Sequence, residues 1–209
     1  MEESYFINHA RARKFPFSIY HRPLEKDLAT LLKTVVKTVK SPEILVIGGG
    51  LMHELDEMPT ESRSTLIDID KRALDAVQTK GDLRIKDYIP VELHQDLRTL
   101  GKTFDVIYAK EVIEHITDAS EYLSQINHIL KPGGFLWLST PNYGEPWLPA
   151  IEKTFLEWVA RRSGFTRKGI HPTRFSCRRL ADMLKETGFK EIEVRPISKR
   201  LAIAAHARK

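Results

Sequence analysis

Cysteine is almost absent: Cys177 is the single one in the chain. No internal disulfide can form, and such usage fits a reducing compartment, so a cytoplasmic setting is expected. No catalytic-cysteine signature surrounds Cys177, which reads as a small residue near a helix start. Long hydrophobic runs are missing too, and nothing approaches the roughly 18 residues of a membrane span. The opening Met1-Glu2-Glu3-Ser4-Tyr5 has neither the charged start nor the apolar core of a signal peptide. Internal repeats, low-complexity tracts and linkers are lacking, so the 209 residues are expected to form a single domain. A hydrophobic content of 42% and a charged content of 29% are those of an ordinary soluble protein. The net charge of +5 and pI near 9.2 hint at an anionic partner, but the basic residues are scattered. Exceptions are Arg11-Ala12-Arg13-Lys14 and the stretch from Arg161-Arg162 to Arg167-Lys168.

What is present is organised around Glu43-Ile44-Leu45-Val46-Ile47-Gly48-Gly49-Gly50. A short apolar run after the Ser41-Pro42 turn signal reads as a strand buried on both faces. The glycines at its carboxyl end let the backbone turn sharply and approach a ligand, because no Cβ intervenes. Alone, such a run marks a turn more readily than a nucleotide site. Ser64-Thr65-Leu66-Ile67-Asp68 then gives a second apolar strand ending in a carboxylate. That pairing is how a nucleotide-binding α/β sheet holds ribose hydroxyls.

Aromatics and cations mix in the first two dozen residues, among them Tyr5, Phe6, Arg13, Phe17, Tyr20 and Arg22. They suit a lid over the sheet or a loosely packed arm. Pro23 stands where a helix can begin, and Leu24, Leu28, Leu31, Leu32, Val35, Val36 and Val39 give it an apolar stripe up to about Lys40. A short helix is expected over 51–58. Asp70 caps a helix over 71–80 that Gly81 ends. Residues 82–90 read as irregular, and 91–94 as a short third strand leading to Asp96 and Leu97. The fourth strand covers 104–109, with Lys110 and Glu111 at its carboxyl end. Asp118 caps the next helix, Lys131-Pro132-Gly133-Gly134 breaks it, and 135–140 make the fifth strand. A helix is expected over 147–163 and another after the cap Ser176, closed by Gly188. Two β-runs, 191–196 and 200–206, are joined by a turn too short for a crossover and must pair antiparallel. The pattern predicts an α/β fold, a doubly wound, mostly parallel sheet with an antiparallel carboxyl-terminal strand. Ligands then lie outside the carboxyl ends of the strands.

The order of motifs resembles the class I S-adenosylmethionine-dependent methyltransferases, small-molecule type, over almost the whole chain. Glu111-Val112-Ile113-Glu114-His115-Ile116, Leu130-Lys131-Pro132-Gly133-Gly134 and Ser139-Thr140-Pro141-Asn142 carry the resemblance, with the closing antiparallel pair. It implies a seven-stranded Rossmann-like sheet with the methyl donor over its middle. Gly48, Gly49 and Gly50 would pass under the methionine part, and Asp68, with Ile69 beside it, would hold the ribose. Asp96 and Leu97 would flank the adenine, while Lys110 and Glu111 would sit near the methionine end. Two positions depart from the family pattern. The usual acidic residue two places before the first glycine is Val46, and Met52 replaces the third loop glycine.

Methyl transfer asks the protein to align nucleophile and methyl, exclude water and sometimes remove a proton. Histidine suits that last task. His115 and His171 are the expected bases, although a packing histidine and a loop histidine are the plainer readings. Tyr143, Trp147 and Arg174 are expected to bind the acceptor, and Trp147, Phe155 and Trp158 to line an apolar pocket or simply a core. Glu111, Glu114 and His115 recur at helical spacing and could ligate a divalent ion, as in some metal-assisted O-methyltransferases with a similar Glu-x-x-Glu-His. Metal-free relatives carry it too, and no metal is expected. The leading expectation is methylation, on oxygen, of a small molecule by a monomer or homodimer. A nucleic-acid methyltransferase that acts on amino groups would carry Asn/Asp-Pro-Pro-aromatic where Ala109-Lys110-Glu111 stands. A nicotinamide enzyme would need a glycine where His53 stands. A non-catalytic donor-binding protein remains the third class, given Val46 and Met52.

Overall fold

The computed structural model describes residues 14–15, 17–146 and 171–209. The arm before residue 14 and the helix expected over 147–163, with Trp147, Phe155 and Trp158, lie outside them. Helix α1 spans Ser18–Val35 and buries Leu24, Leu28, Leu31, Leu32 and Val35. It begins before Pro23, not at it. The Ser18 and His21 N–H groups bond Lys14 O and Phe17 O, so a helical turn forms upstream and the proline is accommodated inside. The helix also ends at Val35 rather than near Lys40, where the buried stripe stops and Val36 is exposed.

Strand β1 (Glu43–Ile47) is buried on both faces: Leu45 and Ile47 face one apolar cluster, Ile44 and Val46 the other. β2 is Arg63–Asp68 and β3 is Ile85–Pro90. The third strand thus occupies what the sequence presents as irregular, and residues 91–94 form a turn instead. The reason is position. β3 is an edge strand pairing with β2 alone, so half-exposed Lys86, Asp87 and Tyr88 fit it, and Pro90 can end it. Helix α2 (Lys71–Gln78) is capped as expected, with Asp70 accepting from the Arg72 N–H.

Strand β4 is Phe104–Lys110, and helix α3 (Ala119–Ile129) is capped by Asp118. β5 (Leu130–Pro141) starts directly after α3, earlier than expected. Lys131-Pro132-Gly133-Gly134 is an irregularity within it, the pairing with β4 stepping from Phe104–Leu130 to Val106–Phe135. Helix α4 (Cys177–Glu186) is capped by Ser176. β6 (Lys190–Ile197) and β7 (Ala202–Arg208) close the sheet.

The seven strands run β3-β2-β1-β4-β5-β7-β6, parallel through β5, with β7 antiparallel to both of its neighbours. Helices α1 and α2 supply residues to the apolar cluster on one face, α3 and α4 to that on the other. The chain extends outward from β1 through β3, then returns to β4 on the opposite side of β1. That reversal opens a crevice at the carboxyl ends of β1 and β4, where open α/β sheets bind ligands.

Candidate functional site

At the end of β1 the Gly48 N–H bonds Ile67 O, and the residue holds φ +64°. A Cβ on Gly49 would come within 2.5 Å of Leu66 Cδ1 and 2.9 Å of Val46 Cγ1, so any side chain there would push these core residues aside. Gly50 donates its N–H to Asp68 Oδ2 at 2.9 Å, tying the loop to the end of β2. Oδ1 accepts from the Asp70 N–H at 2.8 Å. Asp68 is only 1% exposed, and burial pushes its carboxyl up despite these N–H donors. These donors do not exhaust the carboxylate's acceptor sites, which leaves room for a ribose hydroxyl. Ile69, immediately beyond, is exposed. Met52 adopts the left-handed conformation, φ 44° and ψ 61°, and is buried.

Asp96 caps the turn Leu97–Leu100 and pairs with Arg98, whose hydrogen bonds hold its carboxyl below the usual range. Leu97 is buried, its N–H donating to Gln125 Oε1. Both residues therefore have structural work beside any adenine contact.

Past β4, Glu111 takes φ 59°, an uncommon conformation for a side-chain-bearing residue of the kind that clusters at functional sites. Its carboxylate accepts from Tyr20 Oη at 2.5 Å and from Ser139 Oγ at 2.7 Å. The change of backbone conformation breaks the helical spacing with Glu114 and His115, because the turn covers only Ile113–His115. The ligand set Glu111, Glu114, His115 is accordingly not the one that assembles.

Instead Glu114, His115 and His171 converge, with one potential ligand atom from each lying within 4.8 Å of the others. The strap at 171–175 brings His171 in: the Thr173 N–H bonds Glu114 O, Thr173 Oγ1 donates to Ile116 O, and the Tyr143 N–H bonds Phe175 O. His171 is buried, its Nδ1 lies 2.6 Å from Tyr143 Oη, and its ring meets that of His115 edge-on at 5.0 Å. Arg174 lies over the Tyr143 ring at 4.9 Å, and Thr140 Oγ1 donates to Glu114 Oε2. Four of the residues singled out in the sequence, His115, Tyr143, His171 and Arg174, thus share one cluster above β4 and β5. Trp147 lies outside the described residues.

Sequence reasoning missed Glu25 and Glu54, and named Tyr20 only within the aromatic arm and Ser139 only within the motif that ends β5. Lys110 Nζ lies 2.6 Å from Glu54 Oε2 and 3.7 Å from Glu25 Oε1. Burial would raise the Glu54 carboxyl, but the charge and hydrogen bond of Lys110 outweigh it and hold the group below its usual value. An acid next to the apolar stripe of α1 is the sole signal in the sequence for Glu25. For Glu54 there is none.

The sequence model of the methyltransferase domain family matches residues 19–194. The chain belongs to that family. Its class I, S-adenosylmethionine-dependent fold is the one the glycine loop and closing strands imply. Among curated relatives, this methyltransferase is 33% identical over 101 residues to a ubiquinone biosynthesis O-methyltransferase of Cereibacter sphaeroides, covering 47% of this chain and 39% of that protein. It is 27% identical over 158 residues to phosphoethanolamine N-methyltransferase 2 of Caenorhabditis elegans, covering 74% and 33%. The matches therefore span well under half the length of these relatives. Among solved structures, the carbon methyltransferase of CurJ superposes with a TM-score of 0.73 at 18% identity, covering 95% of this chain and 56% of that one. The N-methyltransferase NodS of Bradyrhizobium japonicum, in complex with S-adenosyl-L-homocysteine, gives 0.61 at 18%, covering 95% and 90%. These last two are likenesses of fold.

Proposed function

We propose that this methyltransferase moves the methyl group of S-adenosylmethionine to an oxygen of a small-molecule acceptor, with His171 taking the acceptor's proton. The observation that carries the reading is the buried His171, held by Tyr143 and set against His115 above the ends of β4 and β5. The donor supplies a methyl carbon already activated by a sulfonium, so the protein contributes alignment, dryness and proton removal. Asp68 holds the ribose through the lone pairs its backbone donors leave, and the glycine loop lets the donor lie close to β1. The tautomer of His171 that donates Nδ1–H to Tyr143 puts the basic lone pair on Nε2. Arg174, stacked on Tyr143, gives a fixed cation for an anionic acceptor group. The relatives, an O-methyltransferase of ubiquinone biosynthesis and a phosphoethanolamine N-methyltransferase, support a small acceptor, and the first of them supports oxygen as the atom. The reading takes the compartment to be the cytoplasm, on the strength of the lone Cys177. Among the described residues, no helix is long and apolar enough to cross a membrane. With methyl-labelled donor and a panel of phenols, His171→Ala should lose on the order of 10²–10⁴ in turnover while S-adenosylhomocysteine affinity stays within about twofold. Turnover that survives the substitution would remove His171 as the base.

A second reading is favoured by the convergence of Glu114, His115 and His171. One carboxylate and two imidazoles suit a divalent transition ion, and hydrogen bonds from Thr140 and with Tyr143 would orient two of the ligands. Such an ion would polarise an acceptor oxygen, and the three side chains would hold it. Chelator-treated protein decides between the two readings. Turnover lost with the metal and restored by its return supports the second, and turnover that is indifferent supports the first.

A further inference from the structure

Lys110 is the last residue of β4, one step beyond the pairing of Ala109 with Ile47, and so stands level with Gly48 at the crevice. Glu25 from α1 and Glu54 from the turn after the glycine loop converge on its ammonium. The side chains of Lys110, Glu25 and Glu54 are 11%, 8% and 0% exposed. Charges so deeply placed are expensive, and apolar residues would fill the space at lower cost. Glu54 Oε1 is in addition buried with no hydrogen-bond partner among the described residues. Lys110 places its positive charge against Glu54, and Tyr108 lies beside it. Stability alone gives a poor reason for the arrangement, whereas a ligand at the crevice gives a good one.

The crevice has a direction. Asp68 stands at the end of β2, the glycines at β1 and Lys110 at β4, in that spatial order. A donor whose ribose lies at Asp68 and whose chain crosses the glycines brings its amino-acid end to Lys110. That end carries one carboxylate and one ammonium. An ammonium flanked by carboxylates is its electrostatic complement.

We propose that Lys110 and Glu25 bind the amino-acid end of the methyl donor, Lys110 its α-carboxylate and Glu25 its α-ammonium, with Glu54 positioning Lys110. Val46 stands where the family pattern has an acid, so negative charge at this end of the crevice comes from Glu25 and Glu54 instead. The inference rests on the donor reading above and adds the residues that recognise one end of it.

Calorimetry with two ligands tests it: S-adenosylhomocysteine, and 5′-methylthioadenosine, which shares the adenosine and thioether but lacks the amino acid. In Lys110→Met and Glu25→Gln, affinity for the first should fall at least tenfold while affinity for the second stays within twofold. Retained binding of the short ligand also reports that the fold is intact. Should Lys110→Met not fold, Glu25→Gln and Glu54→Gln carry the same comparison, since both keep size and hydrogen bonding. Equal losses for both ligands would make the set a structural one and overturn the proposal, as would no loss for either. A wild-type protein that binds neither ligand defeats the donor reading itself, and this inference with it.

Discussion

Met52 stands where the family pattern has a glycine, and its backbone takes a conformation that glycine tolerates best. Its backbone is left-handed, which costs a side-chain-bearing residue about 1–2 kcal/mol, and its side chain is buried against the glycine loop. Truncating a buried methionine costs about 2–5 kcal/mol, more than relief of that strain returns. Met52→Gly should therefore lower the melting temperature and leave donor affinity undiminished, both readable in one titration series. Weakened donor binding would mean that the loop follows another geometry when loaded. Legibility at this scale follows locality. The caps Asp70, Asp118 and Ser176 and the glycine loop were readable because each answers to backbone groups a few residues away. Contacts such as Lys110 with Glu54, or Tyr20 with Glu111, join residues far apart in sequence, and no periodicity announces them.

Among the elements, α1 is fastened to the sheet by a polar cluster. Asp27 accepts from Trp137 Nε1 at 2.9 Å on β5, bonds His206 Nε2 at 2.7 Å on β7, and pairs with Arg195 on β6. Burial would raise the Asp27 carboxyl, but the hydrogen bonds of His206 and Trp137 and the nearby positive charges outweigh it and lower the group below its usual 3.8. A carboxylate held low in the folded state contributes stability that is present above its ordinary pKa and lost as pH falls through the folded value. Asp68, raised by burial, works in the opposite sense. Asp27→Asn should cost about 1–3 kcal/mol at neutral pH. It should also flatten the fall in melting temperature as pH descends through the carboxylate range. An unaltered acid limb would show that other carboxylates, Glu54 among them, carry it. Element boundaries were the least legible feature. β3 was missed because an edge strand needs only half an apolar face, and α1 was cut short at Pro23 because a proline can sit within a helix whose earlier turn is already bonded.

Across the whole molecule the alternation of strands and helices was enough to order the sheet, because buried parallel strands demand apolar runs and crossovers between them. The antiparallel closing pair followed from a connection too short for anything else. His115, His171, Tyr143 and Arg174 were each readable as acceptor-side residues, but the strap that holds them together, through Thr173, Glu114 and Ile116, was not. As proposed, the crevice between β1 and β4 holds S-adenosylmethionine with its ribose on Asp68. The decisive experiment is calorimetry of S-adenosylhomocysteine and NAD side by side, on the protein and on Asp68→Ala. One site for S-adenosylhomocysteine, none for NAD, and a loss of about 1–3 kcal/mol in the variant are expected. Binding of NAD in place of S-adenosylhomocysteine, or an affinity that Asp68→Ala leaves unchanged, would contradict it.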